Sequence, residues 1–210
     1  MMGGITGATN GKFVLMAATL LFHGRVDNAR TTIAIVAGAP HSAISETLAK
    51  RVRQGAPVKI GIRAEYLRAS ITGVERDPGQ GADVRIGQDI LDANPIEIDF
   101  AHHQLRLLLA GDAKREERGM TPIPVTRETD GTVTVPLRID DAAPTAALLD
   151  LLRPTGVVAP VASRKSVALG PVALNTAEVS VGANPSVGLG AFAKTRVIFD
   201  LGHGRIWVAV

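Results

Sequence analysis

The chain has 210 residues, of which 46% are hydrophobic, 20% charged and 3% aromatic, and its formal net charge is +3. This balance indicates a globular protein and excludes a disordered chain. The positive excess lacks the basic stripe with interleaved aromatic residues of nucleic-acid readers, so we predict no nucleic-acid partner. Because cysteine is absent, disulfides, thiolate catalysis and cysteine-ligated metals are excluded.

Short runs rich in β-branched and apolar residues, separated by Gly, Pro, Asp and Asn, predict a chain made mostly of strands. Helical patterns occur at Ser45–Arg53, where Ser45 is a suitable N-cap, and around Ala159–Val167. We therefore expect an all-β fold with short helices. The predicted strands are 13–22, 32–36, 59–63, 96–100, 105–109, 132–139 and 196–199.

The longest apolar run, Phe13–Phe22, is shorter than the ~20 residues that a membrane-spanning helix needs. We predict no membrane span. The run also lacks a clean small-residue cleavage site after it, so it is a poor signal peptide. The compartment stays open between the cytoplasm and, for a chain whose signal has been removed, the periplasm.

Two stretches of the sequence resemble each other closely enough to predict an internal repeat. Residues 86–108 match residues 187–209 at an offset of 101 positions, which places Gly87 on Gly188, Asp99 on Asp200 and His102 on His203. The alternating apolar positions also correspond, so each copy is predicted to be a strand, a polar turn after the Asp, and a second strand.

A weaker match joins residues 31–45 to residues 145–159 at an offset of 114, with Val36 opposite Asp150. Between the copies lies the charged stretch 111–120, GDAKREERGM, which is typical of a solvated linker. We therefore predict two pseudo-symmetric lobes, residues 12–110 and 121–210, joined by the linker 111–120.

The order of these segments resembles that of the aspartic peptidases, in particular the bacterial retropepsin-like and pepsin-like group. The resemblance rests on GAPHSAIS at 38–45, IGQDIL at 86–91, IEIDF at 96–100, ALLD at 147–150, SVGLGAF at 186–192 and VIFDLGHGRIWV at 197–208. It implies two β-barrel lobes around a peptide-binding cleft. In that family each lobe supplies one catalytic Asp from an Asp-Thr/Ser-Gly turn.

The chain departs from the family at both catalytic turns. The first motif falls on Val36-Ala37-Gly38 and the second on Asp150-Leu151-Leu152. Acid–base hydrolysis by this family needs two carboxylates that share a proton, and Val36 carries none. Enzymatic activity is thus uncertain, and we favour an inactive protease-like protein that binds a peptide or protein, or serves as a scaffold. The alternative is an active aspartic endopeptidase that uses Asp150, with a homodimer supplying one Asp150 from each chain.

Further residues are candidates for contacts with a peptide. Gly38 and Ala39 lie in the first turn, and the resemblance implies that Tyr66, the one tyrosine, covers the cleft from a flap hairpin. An ordinary strand residue is the alternative for Tyr66. His102, His103 and His203 fall in predicted turns, where more converging ligands would be needed for a metal. We predict no metal and no cofactor.

Overall fold

A computed structural model describes residues 13–16, 19–27, 29–36, 38–52, 58–62, 65–79, 81–151, 155–161, 166–174 and 177–209. In this part of the chain strands dominate, and the longest helix has seven residues. Within it, no helix combines the length and apolar character required to cross a membrane.

The first eight strands form one sheet, together with two short helices beside it. These elements are β1 Phe13–Met16, β2 Thr19–Val26, β3 Ala29–Ile35, β4 Ala43–Ser45, α1 Glu46–Ala49, β5 Val58–Ile62, β6 Glu65–Ala69, β7 Gly73–Glu75, β8 Val84–Ile86 and α2 Gln88–Leu91. The strand order of this first sheet is β6-β5-β2-β3-β8-β4-β7, with β1 paired to β2. The pairs β3–β8 and β4–β7 are parallel, and β4–β8 is antiparallel.

The middle of the chain contributes a hairpin, a helix and a strand. They are β9 Ile96–Asp99, β10 Gln104–Leu107, α3 Ala110–Glu116 and β11 Thr121–Pro124. We call the chain before α3 the first half and the chain after it the second half.

The second half builds another eight-stranded sheet. Its strands are β12 Thr126–Arg127, β13 Val133–Ile139, β14 Thr145–Asp150, β15 Val157–Ala159, β16 Val167–Leu169, β17 Val172–Ala173, β18 Val179–Val181 and β19 Ser186–Gly188. The order of this second sheet is β17-β16-β13-β14-β19-β15-β18, with β12 paired to β13. The pairs β14–β19 and β15–β18 are parallel and β15–β19 is antiparallel. Position by position, this is the arrangement of the first sheet.

Two last strands return to the middle of the molecule. After a 3₁₀ turn at Leu189–Phe192 come β20 Arg196–Asp200, a second 3₁₀ turn at Leu201–His203, and β21 Arg205–Val208. They complete a central five-stranded sheet of order β10-β9-β20-β21-β11. Because β9 pairs with β20, backbone hydrogen bonds join the two halves directly.

The core follows from strand alternation. In β13, for example, Val133, Val135, Leu137 and Ile139 are buried while the residues between them are partly or fully exposed, as a sheet with one face on a core requires. One continuous apolar cluster extends through residues of both halves. At its centre the rings of Phe192 and Phe199 meet edge to face, with centroids 5.6 Å apart.

The predicted all-β, two-lobed class is confirmed by this architecture, but two local predictions need correction. The helix expected around 159–167 is wrong at both of its described ends, because β15 and β16 occupy them; residues 162–165 lie outside the described residues. Helix α1 begins after Ser45, whose Oγ accepts the Leu48 N–H at 3.1 Å, yet it ends at Ala49 rather than at Arg53.

The connection 111–120 is more ordered than a solvated linker. Most of it lies in α3, and the side chains of Ala113 and Met120 are buried with Leu108 and Ile198. The helix thereby covers part of one face of the central sheet.

Candidate functional site

The turn that follows β3 is held in place by β8 and α2. The Val36 N–H donates to the Ile86 carbonyl at 3.0 Å, and the Gln88 N–H donates to the Ala39 carbonyl at 2.8 Å. A Cβ on Gly87 would lie 2.7 Å from backbone atoms of Ala39 and His41. Only glycine permits this close approach, so the turn is pinned against the end of β8.

Hydrogen bonds of the buried Ser42 also stabilise this turn. The Ser42 hydroxyl donates to an Asp89 carboxylate oxygen at 2.6 Å, and its Oγ accepts the Gly87 N–H at 2.9 Å. The Asp89 carboxylate also accepts the Ser42 N–H at 2.9 Å. These bonds occupy the hydroxyl in bracing the turn, and the geometry gives Ser42 a structural role.

Asp150 occupies the position in the second sheet that Val36 occupies in the first. Leu149 of β14 pairs with Val187 of β19, as Ile35 of β3 pairs with Ile86 of β8. Asp150 and Val36 are the next residues along the chain. The two halves therefore present different side chains at corresponding places, a carboxylate and an isopropyl group.

The surroundings of Val36 are hydrocarbon. Its side chain packs against a small buried cluster of Leu21, Ala34 and Ala82. This contact gives Val36 a packing role directly after the end of β3.

A pocket of about 370 Å³ lies between the two halves, and Asp150 is in its wall. The first half contributes Gly38, Pro40 and Gln88 to the lining. The second half contributes the rest. These residues are Asp130, Gly131, Thr132, Val133, Leu148, Leu149, Asp150, Leu151 and Leu201.

Three residues of β14 line this pocket, Leu148, Leu149 and Asp150. Leu148 and Asp150 are two positions apart and so share a face of the strand. Leu148 is 40% exposed, unusual for a large apolar residue, and Asp150 is half-buried. The pocket wall thus combines an exposed leucine side chain with a carboxylate two residues farther along the same strand.

The hairpin between β12 and β13 brings a second carboxylate to the pocket. Asp130 and Gly131 form its turn, and the Asp130 carboxylate accepts the Thr132 N–H at 2.8 Å. Hydrogen bonds to Thr132 lower the pKa of Asp130. A β-carbon built on Gly131 would be 3.9 Å from the Gln88 side-chain amide, so the turn lies beside α2 of the other half.

An ion pair holds this hairpin across the two halves. Arg127 of β12 lies 2.5 Å from the carboxylate of Asp92, just after α2. Close backbone contact reinforces the joint, because a Cβ on Gly202 would fall 1.8 Å from the Asp92 carbonyl oxygen. The rim of the pocket is consequently formed by segments that are fixed to each other.

The central sheet carries a charge cluster remote from the pocket lining, formed by Glu97, Arg106, Glu116 and Arg196. Glu97 is buried and pairs with Arg106 and, at 3.5 Å, with Arg196. Glu116 of α3 lies 3.1 Å from each arginine. Burial raises the pKa of Glu97 despite the arginines. For Glu116, burial acts in the same direction, but the charge and hydrogen bonds of Arg106 prevail and lower its pKa.

The predicted site residues are distributed as follows. Asp150 and Gly38 line the pocket, while Ala39 contributes the backbone bonds that fix the turn and is absent from the described lining. Tyr66 lies in β6, opposite Gly61 in the β5–β6 hairpin; its side chain lies outside the described residues. Sequence reasoning missed Asp130 and Gln88. The Asp-Gly pair at 130–131 is a turn signal, but nothing in the sequence places that turn at the pocket.

The histidines in the two central hairpins have local partners. His102 Nδ1 lies 2.8 Å from Asp99, and His203 Nδ1 lies 2.7 Å from Asp200. Asp99 also accepts the His102 N–H at 3.0 Å; burial opposes ionisation, yet the bonds from His102 lower the pKa of Asp99. Among the described residues, no three His, Asp or Glu side chains converge as metal ligands.

Neither the protein-family models nor the curated proteins contain a match for this chain. Solved structures do resemble it. One is conglutin gamma, a basic 7S globulin from lupine seeds, with a TM-score of 0.54, 9% identity and coverage of 94% of this chain and 93% of the other. Another is Basic 7S globulin from soybean, with a TM-score of 0.56, 9% identity and 91% coverage of both chains. At this identity the likeness concerns the fold alone: the chain has the two-lobed aspartic-protease-like fold.

Proposed function

We propose that the protein binds a peptide, or an extended segment of a protein, in the pocket between its halves and does not hydrolyse it. One observation carries the proposal: corresponding positions of the two sheets hold unlike residues, Asp150 in the second sheet and Val36 in the first. A hydrocarbon side chain neither accepts nor donates the proton that the two-carboxylate mechanism exchanges.

The lobe boundaries belong to the same proposal. We assign the lobes to residues 12–110 and 121–210, related by an internal repeat. The matching strand order of the two eight-stranded sheets supports this assignment. So does the position of α3 between them. Under this assignment the pocket is the cleft between the lobes.

The lining supports binding of an extended chain. Leu148 offers an accessible apolar contact, and Asp150 lies two residues farther along the same strand. In an extended peptide, side chains that face one way are spaced by the same two-residue repeat. Small binding pockets are typically lined by apolar side chains together with a few polar groups.

Equilibrium dialysis with a mixed library of short peptides tests binding. We expect the wild type to retain a subset of peptides, which mass spectrometry recovers intact. The variant Leu148→Lys, which places a charged chain in the pocket wall, should lose this retention. The matched control is Val181→Lys, since Val181 is an exposed strand valine outside the pocket lining. Equal retention by both variants would contradict the assignment of the site.

One observation favours a second candidate, an aspartic endopeptidase that works through Asp150. Asp130 lines the same pocket, so a second carboxylate is present, although it comes from the same half. In the homodimeric form of this candidate, each chain would supply one Asp150. A transition-state-mimicking inhibitor of aspartic peptidases discriminates the candidates, because an intact pair of acidic groups would bind it far more tightly than a substrate-like peptide.

A further inference from the structure

The pocket between the two halves has one sign of charge along its described lining. Asp130 and Asp150 are its two charged residues, and the other described lining residues are neutral. Both carboxylates come from the second half, which also contributes the apolar lining residues Val133 and Leu148. A charge that enters this pocket is therefore stabilised when it is positive.

We propose that the peptide bound in this pocket carries a lysine or arginine side chain next to apolar ones. This inference rests on the proposed function. The cation lies between Asp130 and Asp150, and an apolar side chain of the same peptide contacts Leu148. The recognised feature is thus a basic residue two positions from an apolar residue in an extended segment.

The geometry of β14 sets that spacing. Leu148 and Asp150 follow each other on one face of the strand, about 7 Å apart along its axis. An extended peptide that runs beside this surface places its own alternate side chains at the same interval. An acidic peptide would bring its carboxylates close to those of the pocket, and repulsion between the like charges would weaken its binding.

Contacts in and beside its own turn position the Asp130 carboxylate. Asp130 accepts the N–H of Thr132 in its own turn, and a β-carbon on Gly131 of that turn would lie 3.9 Å from the side chain of Gln88 in the first half. The nearby cation, Arg127, is engaged with Asp92 at 2.5 Å. These contacts keep the Asp130 carboxylate at the pocket rim.

Binding of capped peptides that differ at one position tests the proposal. The peptides have an extended apolar sequence and carry lysine, norleucine or glutamate at the variable position, two residues from a leucine. Affinities are measured by isothermal titration calorimetry at neutral pH. Ion pairs with exposed carboxylates are weak, so we expect the lysine peptide to bind about fivefold more tightly than the norleucine peptide. The glutamate peptide should bind more weakly than both.

Isosteric variants locate the preference. Asp130→Asn and Asp150→Asn should each reduce the ratio between the lysine and norleucine peptides, and the double variant should bring it to one. Asp141→Asn is the control, because Asp141 is exposed in the turn before β14, outside the pocket lining, and should leave the ratio unchanged. Thermal unfolding of each variant verifies that it is folded.

The outcomes separate the two proposals. Equal binding of the lysine and norleucine peptides overturns the basic-residue inference and leaves peptide binding standing. Failure of every peptide to bind overturns both. If butylamine alone binds as tightly as the lysine peptide, the ligand is a small cation and the peptide inference is wrong.

Discussion

Replacing Arg106 by methionine tests whether the charge cluster on the central sheet holds the two halves together. The Glu97 side chain is 5% exposed and depends on Arg106 and Arg196 for its partners. Arg106→Met leaves one cation, 3.5 Å away, beside a buried carboxylate. The remaining pair in the cluster is Arg196 with Glu116 at 3.1 Å.

The magnitude follows from the burial of Glu97. Removing one partner of a buried ion pair typically costs 3–5 kcal/mol, and the surviving contact with Arg196 places this case near the lower end, at about 3 kcal/mol. Replacing both charges by apolar groups is often close to neutral. The double variant Glu97→Met/Arg106→Met should therefore recover to within about 1 kcal/mol of the wild-type free energy of unfolding.

Urea unfolding, followed through the fluorescence of Trp207, measures these differences. Trp207 is the one tryptophan and packs partly buried beside α3 residues. The surface pair Arg85–Glu75, with Glu75 41% exposed, is the reference, and Glu75→Gln should cost below about 1 kcal/mol. The reasoning is refuted if the double variant is as unstable as Arg106→Met, or if Arg106→Met costs no more than Glu75→Gln.

Three further predictions concern packing, the turn and pH. Gly202→Ala should prevent stable folding, because the new methyl would overlap the Asp92 carbonyl. Gly111→Ala, whose methyl meets nothing within 4 Å, should instead stabilise α3 by about 0.5–1 kcal/mol. Soluble expression and thermal unfolding measure both effects, and equal melting temperatures of the two variants would refute the predicted steric clash at Gly202. Ser42→Ala should cost about 1–3 kcal/mol in urea unfolding, because it removes two hydrogen bonds from a buried turn; a neutral change would contradict that role. The pKa of Glu116 lies below its ordinary value of 4.5, so its ionised form stabilises the fold above that pH and this contribution is lost as pH falls through the lowered value. The stability gap between wild type and Glu116→Gln should accordingly be present at neutral pH and close in acid, and a gap that widens in acid would refute the assignment.

Strand patterns in the sequence were sufficient for the fold class because β-branched alternation and turn residues act locally. In β13 the buried positions are the alternating apolar ones, and Asp99, the last residue of β9, accepts the backbone N–H of His102 in the turn that follows. Such contacts connect residues that are close in sequence, so their signals can be read without the fold.

The pocket and the charge cluster could not be derived in this way. Asp130 lines the pocket from a hairpin whose Arg127 pairs with Asp92, 35 positions away in the sequence. Glu116 is held because α3 lies on the central sheet, where it meets an arginine 80 positions later in the chain. The sequence offered only a mixed-charge stretch there, and tertiary packing decided which charges found partners.

The central claim, that the cleft holds peptides without cleaving them, is tested most directly by incubating the wild type and Asp150→Asn with a mixed peptide library from about pH 3 to about pH 7, the range over which a carboxylate pair titrates and works. Mass spectrometry then measures new termini. We predict none above background with either protein. Cleavage by the wild type that disappears in Asp150→Asn would contradict the claim and make the protein an aspartic endopeptidase.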